Sequence, residues 1–202
     1  MCTSDPTPWL VSAYIEAVAY RSGYPDSDYQ LDAARITGPL DAQIRSALAF
    51  VRKNMRVAAV KEPARRDIPQ FSGKAVFEAI VNAVAHRDYS IWGGRIRLHL
   101  FADRLELYSP GALLNSMTVD AMQAMSMPRN EVISSLFARY YPVREQGLGR
   151  EYLMDRRGSG VDVILHESER LSGIRPVFEN IADMELRLTI FAASAPDQEA
   201  LA

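Results

Sequence analysis

The chain has 202 residues, with 23 Lys plus Arg against 25 Asp plus Glu and a formal net charge of -2, so no overall positive field draws it onto nucleic acid. A chain of this length buries roughly 70% of the surface that its unfolded form exposes, which excludes the small scaffolds that need disulfides or a structural metal. The single cysteine, Cys2, excludes an internal disulfide and a Cys-based zinc site; with no apolar run as long as a membrane span, the expectation is a folded soluble protein in a reducing, cytoplasmic setting.

Residues 1–40 mix a short amphipathic stretch (Trp9, Leu10, Tyr14, Ile15, Val18) with a turn-rich run through Gly23, Pro25, Asp26 and Ser27, and read as a peripheral arm. After Gly38 and Pro39 the spacing predicts a helix over about 41–58, with Asp41 capping its start and Ile44, Leu48, Val51 and Met55 on one side. Lys61 to Pro69 is basic and broken by prolines, which makes it a connector. A second helix is expected from Ser72 or Gly73 to about Arg87.

From Arg95 the period drops to two. Ile96, Leu98 and Leu100 alternate with Arg95, Arg97 and His99; after a turn at Asp103-Arg104 the alternation resumes and ends at Ser109-Pro110-Gly111, giving an antiparallel hairpin. Two short helices, about 118–125 and 130–140, precede a Gly- and Arg-rich stretch from Pro142 to Gly160. A helix from about Ser159 to Leu171 follows, then a last hairpin in which Met184, Leu186, Leu188 and Ile190 alternate with polar residues. Each strand has one apolar face, so helices are needed on one side of the sheet only. The fold class is α+β: a two-layer α/β sandwich with a mixed, mostly antiparallel sheet.

The helix from 73 to 87 carries two kinds of residue. Phe77, Ile80, Val81 and Val84 form an apolar stripe, while Glu78, Asn82 and His86 recur at i, i+4, i+8 on nearly the opposite side, away from the core. A carboxylate and a carboxamide one turn apart suit a general base and an oxygen ligand for Mg²⁺, and equally suit a surface helix with a solvated polar edge. Ser109-Pro110-Gly111 lies where a strand turns into a loop and a backbone can approach a ligand. Gly158-Ser159-Gly160 opens a periodic helix, whose free N–H groups suit a phosphate; Gly147-Leu148-Gly149 competes for that role. His86 at a helix end, His99 on the polar strand face and His166 in mid-helix read as structural or solvated residues, and Met117, Met122, Met125 and Met127 as adaptable packing.

Taken in order, these elements resemble the Bergerat-fold ATP site of the GHKL superfamily, shared by gyrase, MutL, histidine kinases and the heat-shock chaperone. The phrases Glu78-Ala79-Ile80-Val81-Asn82-Ala83-Val84-Ala85-His86-Arg87-Asp88-Tyr89, Asp103-Arg104-Leu105-Glu106-Leu107-Tyr108-Ser109-Pro110-Gly111 and Arg129-Asn130 resemble one branch more closely. That branch is the ATPase-like domain of bacterial transcriptional regulators similar to the C-terminal part of the RecG helicase. The likeness runs over about residues 38–191.

The resemblance implies that Glu78 polarises the attacking water and that Asn82 binds the Mg²⁺ on the ATP phosphates. It implies that Gly111 lets its loop lie against the adenine, that Pro142 to Arg157 form a lid, and that Gly158, Ser159 and Gly160 contact phosphates. The superfamily has an Asp where Ser109 stands, and a serine accepts a weaker hydrogen bond from the adenine amino group. Regulators of this branch carry a Schlafen-like, AlbA-related DNA-binding domain, so DNA is expected to be touched only through a domain absent from this chain, and a homodimer is expected. The domain reading is an arm over 1–40 left from a linker, an ATPase-like domain over 41–191 and a disordered tail over 192–202. Two other readings stay open: a non-hydrolysing scaffold that dimerises through its polar strand face at Arg95 and Arg97, and a nucleic-acid module using Arg65, Arg66, Arg150, Arg156 and Arg157.

Overall fold

The computed structural model describes residues 5–60, 66–113, 117, 118, 120–124, 127–143, 148, 149, 151–155 and 158–194. Along them the chain forms β1 (Ile15–Tyr20), β2 (Gln30–Ile36), α1 (Leu40–Asn54), β3 (Val57–Val60), β4 (Arg66–Pro69), α2 (Gly73–His86), β5 (Ile96–Leu100) and β6 (Arg104–Pro110). The short α3 (Ala121–Ala124) and α4 (Glu131–Phe137) follow, then α5 (Gly160–Ser172), β7 (Val177–Ile181) and β8 (Glu185–Phe191). Six strands make one sheet in the order β2-β1-β5-β6-β8-β7, and β3 pairs with β4 apart from it. Within the large sheet every pairing is antiparallel except that of β1 with β5. The architecture is the expected α+β two-layer sandwich.

Alternation explains which face meets the helices. In β5, Ile96, Leu98 and Leu100 are buried while Arg97 and His99 sit half-buried on the opposite side. That outer face bears ion pairs instead of a second helical layer: Glu16 with Arg95 at 2.8 Å, Arg97 with Glu185 at 2.6 Å, Arg104 with Glu106 at 2.7 Å. Arg97 also lies over the Tyr108 ring, 4.1 Å from its centre.

The segment read as a peripheral arm belongs to the sheet. Ile15, Ala17 and Ala19 of β1 are core residues, because β1 sits between β2 and β5 and packs on α1. Its outward positions include Val18 between Glu16 and Tyr20, so the sequence lacks the alternation of polarity that marks β5. The connector is likewise partly ordered, since Val57 to Val60 pair antiparallel with Pro69 to Arg66; residues 61–65 lie outside the described set. Asp41 does not cap α1: Pro39 occupies the N-cap with no side-chain bond, and Asp41 pairs with Arg45 one turn on, at 2.7 Å. Of the tail, Ala192 and Ala193 donate backbone bonds to Asp103 and Gln70, and residues 195–202 lie outside the described set. Among the described residues no helix is long and apolar enough to cross a membrane.

Helix α2 is the centre of the helical layer, against α1, α5 and β6. Its residues are apolar almost all round, which is the signature of an internal helix. The expected solvated edge is therefore corrected: Glu78 is 4% exposed, because α5 covers the stripe that was read as facing water.

Ile15→Ala tests the place of β1. Core truncation of this kind costs about 2–5 kcal/mol, whereas an arm residue would cost almost nothing; urea unfolding with a midpoint equal to wild type would contradict the sheet assignment.

Candidate functional site

The first turn of α5 rests directly on the polar stripe of α2. A Cβ placed on Gly160 would come within 2.9 Å of the Asn82 amide nitrogen, 3.2 Å of a Glu78 carboxylate oxygen and 3.3 Å of the Asn82 amide oxygen. With glycine there the turn makes this approach without moving either side chain, and Glu78 and Asn82 meet it at one locus.

On either side of this contact the surface is hollow. One cavity, of ≈ 140 Å³, is lined by Asn82, His86, Ser109, Gly111, Arg129 and Gly158. Leu107, Leu186 and Leu188 from the sheet, Ile164 from α5, and Met117, Met122, Met127 and Met154 make its walls apolar. Four of the expected site residues, Asn82, Ser109, Gly111 and Gly158, thus come together from three distant parts of the chain. Glu78 and Ser159 do not line that cavity. They line a neighbouring one with Lys74, Glu151, Asp155 and Glu167, and Met154 borders both. Gly149 lines this second cavity as well, while Gly147, Met125, Arg150, Arg156 and Arg157 lie outside the described residues.

The loop after β6 is set by specific bonds. Ser109 donates its hydroxyl to the Ala83 carbonyl at 3.0 Å, and that carbonyl also accepts from the Arg87 amide at 3.1 Å. Because a carbonyl cannot donate, the Ser109 proton is committed and its oxygen is left as an acceptor. Gly111 has φ +113, and a Cβ on it would stand 2.8 Å from that of Asp88 and 3.2 Å from the Arg129 guanidinium. Arg129 pairs with Asp88 at 3.1 Å and donates to the Ala112 carbonyl. Asn130 donates to the carbonyls of Ala85 and Arg87, at 2.9 and 2.8 Å.

Burial, and then the charge of Arg129, push the His86 imidazole below its ordinary pKa, which favours the neutral ring. A neutral ring leaves His86 no charge to set against the dipole at the end of α2. Hydrogen bonds from Ser90, and the nearby Arg129 charge, hold the Asp88 carboxyl below the usual carboxylate range. Sequence reading picked out Arg129 only as half of a two-residue phrase and gave it no role; its partner Asp88 lies 41 positions away, beyond any local pattern.

Residues 93–190 match a family model described as "Putative ATP-dependent DNA helicase recG C-terminal". Over that stretch the chain is similar to this family. The stretch takes in Ser109, Gly111, Arg129 and Gly158 to Gly160, and begins after α2. Among solved structures, the DIP2311 protein from Corynebacterium diphtheriae matches 93% of this chain with a TM-score of 0.67 and 23% identity, which speaks to the fold. This chain covers 35% of that one, about a third of its length. A comparison with curated proteins found no match.

Two outcomes follow from this geometry. Gly160→Ala should cost about 1–3 kcal/mol, the range for overpacking, and urea unfolding equal to wild type would contradict the contact. His86 has a folded pKa below the unfolded value of 6.5, so the unfolded chain takes up the proton first and stability falls as pH drops below about 6.5. His86→Gln should flatten that acid limb; identical limbs in variant and wild type would reject a buried neutral ring.

Proposed function

We propose that the chain is the ATP-binding regulatory domain of a transcriptional regulator, of Bergerat type, taking ATP with Mg²⁺ and hydrolysing it slowly. The observation that carries this reading is the single cavity shared by Asn82, Ser109, Gly111 and Gly158. The match to a family described as ATP-dependent supports it over residues 93–190. In this reading the proposed domain takes in the whole sheet from Ile15 to Phe191; the protein works as a homodimer, and DNA contacts come from a domain outside this chain.

The residues fit the nucleotide. Apolar walls suit a base, and Ser109 offers an acceptor for an exocyclic amino group. Gly111 brings backbone close to it, and Gly158, Ser159 and Gly160 stand at or before the start of α5, where unpaired N–H groups favour phosphate. The magnesium set is sparse but suitable, since Mg²⁺ is commonly held by one or two protein oxygens with phosphates and waters. Asn82 supplies such an oxygen, and Mg²⁺, when bound, would neutralise developing phosphate charge. Glu78, buried beside it, would orient water and accept its proton.

One observation favours a second reading, a scaffold that binds without hydrolysing. Glu78 lines the cavity beside Ser159 and not the one lined by Asn82, Ser109, Gly111 and Gly158. The polar strand face is a weaker candidate for its dimer contacts, because Arg95 and Arg97 are already paired with Glu16 and Glu185.

Calorimetry with ATP and Mg²⁺ separates these. The expected dissociation constant is below about 1 mM; Asn82→Ala weakens it, and Glu78→Ala binds but releases no phosphate. No binding in that range overturns the nucleotide reading, while equal phosphate release by wild type and Glu78→Ala removes the catalytic assignment alone. Ser109→Ala should lose about 2–10-fold in ATP affinity, the worth of one hydrogen bond, and less for ITP, which presents a carbonyl where ATP presents the amino group.

A further inference from the structure

We infer that Arg129 is the positioning residue of the cavity: through Asp88 and Ala112 it fixes the Gly111–Ala112 turn, where the chain leaves β6, beside the end of α2. The role in ligand binding rests on the nucleotide reading above; the role in holding the loop does not.

The argument starts from what Arg129 touches. Its guanidinium bridges the Asp88 carboxylate just past the end of α2 and the Ala112 carbonyl on the loop. Between them lies Gly111, whose missing Cβ leaves the room that the guanidinium fills. A planar fork can hold two acceptors set at an angle, which a lysine ammonium on a flexible stem does poorly. The neighbouring Asn130 ties the same α4 start to the carbonyls of Ala85 and Arg87, so the anchor for Arg129 is itself fixed to α2. The loop has two further ties, from Asp88 N–H to the Pro110 carbonyl at 2.7 Å and from Gly111 N–H to the Met184 carbonyl at 2.8 Å. These hold Pro110 and Gly111. Beyond Gly111, Ala112 is reached by Arg129, whose side chain also lines the cavity. The position of Ala112, where the chain leaves β6 beside the cavity, therefore depends on Arg129, while Ser109 is held to α2 by its own bond to the Ala83 carbonyl.

The test uses the whole chain and two kinds of measurement. In the protein without nucleotide, Arg129→Ala should speed amide hydrogen exchange at residues 112 and 113 at least about tenfold, with α2 exchanging as in wild type. Arg129→Lys, which keeps the cation and loses the fork, should fall between, and serves if the alanine variant does not fold. Asp88→Asn should move exchange the same way. With nucleotide, Arg129→Lys should weaken adenosine and ATP by the same factor, since it shifts the base side of the cavity. Exchange at residues 112 and 113 equal to wild type in both Arg129 variants overturns the inference. So does a loss confined to ATP with adenosine unchanged, which would make Arg129 a phosphate contact. If the wild-type protein binds neither adenosine nor ATP, the nucleotide reading fails while the exchange experiment still decides the positioning role.

Discussion

The contact between Gly160 and the polar stripe of α2 sets how closely α5 packs on the centre of the helical layer. Helix α2 is enclosed by the sheet, α1 and α5, and a carboxylate and a carboxamide on such a helix must be satisfied inside the protein, since burying them unpaired is costly. A bulky first residue on α5 would hold that helix away and open the stripe to water. Glycine instead brings the α5 turn against Glu78 and Asn82. Asn82 lines the apolar cavity and Glu78 the polar one beside it.

The opposite end of α2 is arranged by the run His86-Arg87-Asp88-Tyr89, whose side chains go to different places. His86 lines the apolar cavity. Arg87, 2% exposed, donates to the carbonyls of Ser12 and Gly94 and lies over the Tyr89 ring, joining the chain ahead of β1 to the loop ahead of β5. Asp88 takes Arg129, and the Tyr89 hydroxyl returns to the Val84 carbonyl at 2.9 Å. Carbonyls at the end of a helix lack partners within it; here Asn130 supplies two of the bonds. A phrase that looks like a motif for one ligand is, in large part, the joint between four segments.

This distribution explains what could be read from sequence. Strands β5, β6 and β8 were legible because one face meets helices and the other meets water, so polarity alternates. Helix α2 was legible in extent and wrong in exposure. Periodicity finds an apolar stripe but does not say whether a helix will cover the opposite side, and the glycine that permits that cover lies 78 positions away from Asn82 (160 minus 82). Strand β1 reads Ile-Glu-Ala-Val-Ala-Tyr, with two alanines and no alternation; its strand state comes from pairing with β2 and β5, a tertiary effect that overrides local preference. Ser109 and Gly111 were legible because a strand end followed by Pro-Gly marks a turn. Arg129 and Asp88 were not, because only the folded chain makes them neighbours.

The balance of charge acquires a structural meaning on the outer face of the sheet. Arg95, Arg97, Arg104 and Arg187 stand there opposite Glu16, Glu185, Glu106 and Glu179. Partly exposed pairs of this kind contribute little to stability, each about 0–1 kcal/mol. Their effect is to neutralise the arginines and to let Tyr20, His99 and Tyr108 pack among them. The face can then stay without a helical cover. It also offers no unbalanced row of positive charge for a phosphate backbone to follow, which nucleic-acid binding of the electrostatic kind requires. The arginines considered for such binding, Arg65, Arg66, Arg150, Arg156 and Arg157, are elsewhere in the chain; of these only the backbone of Arg66, in β4, belongs to the described structure. On this face the charges balance pair by pair, while the cavity lined by Asn82 and Ser109 lies on the other side of the sheet, against α2 and α5.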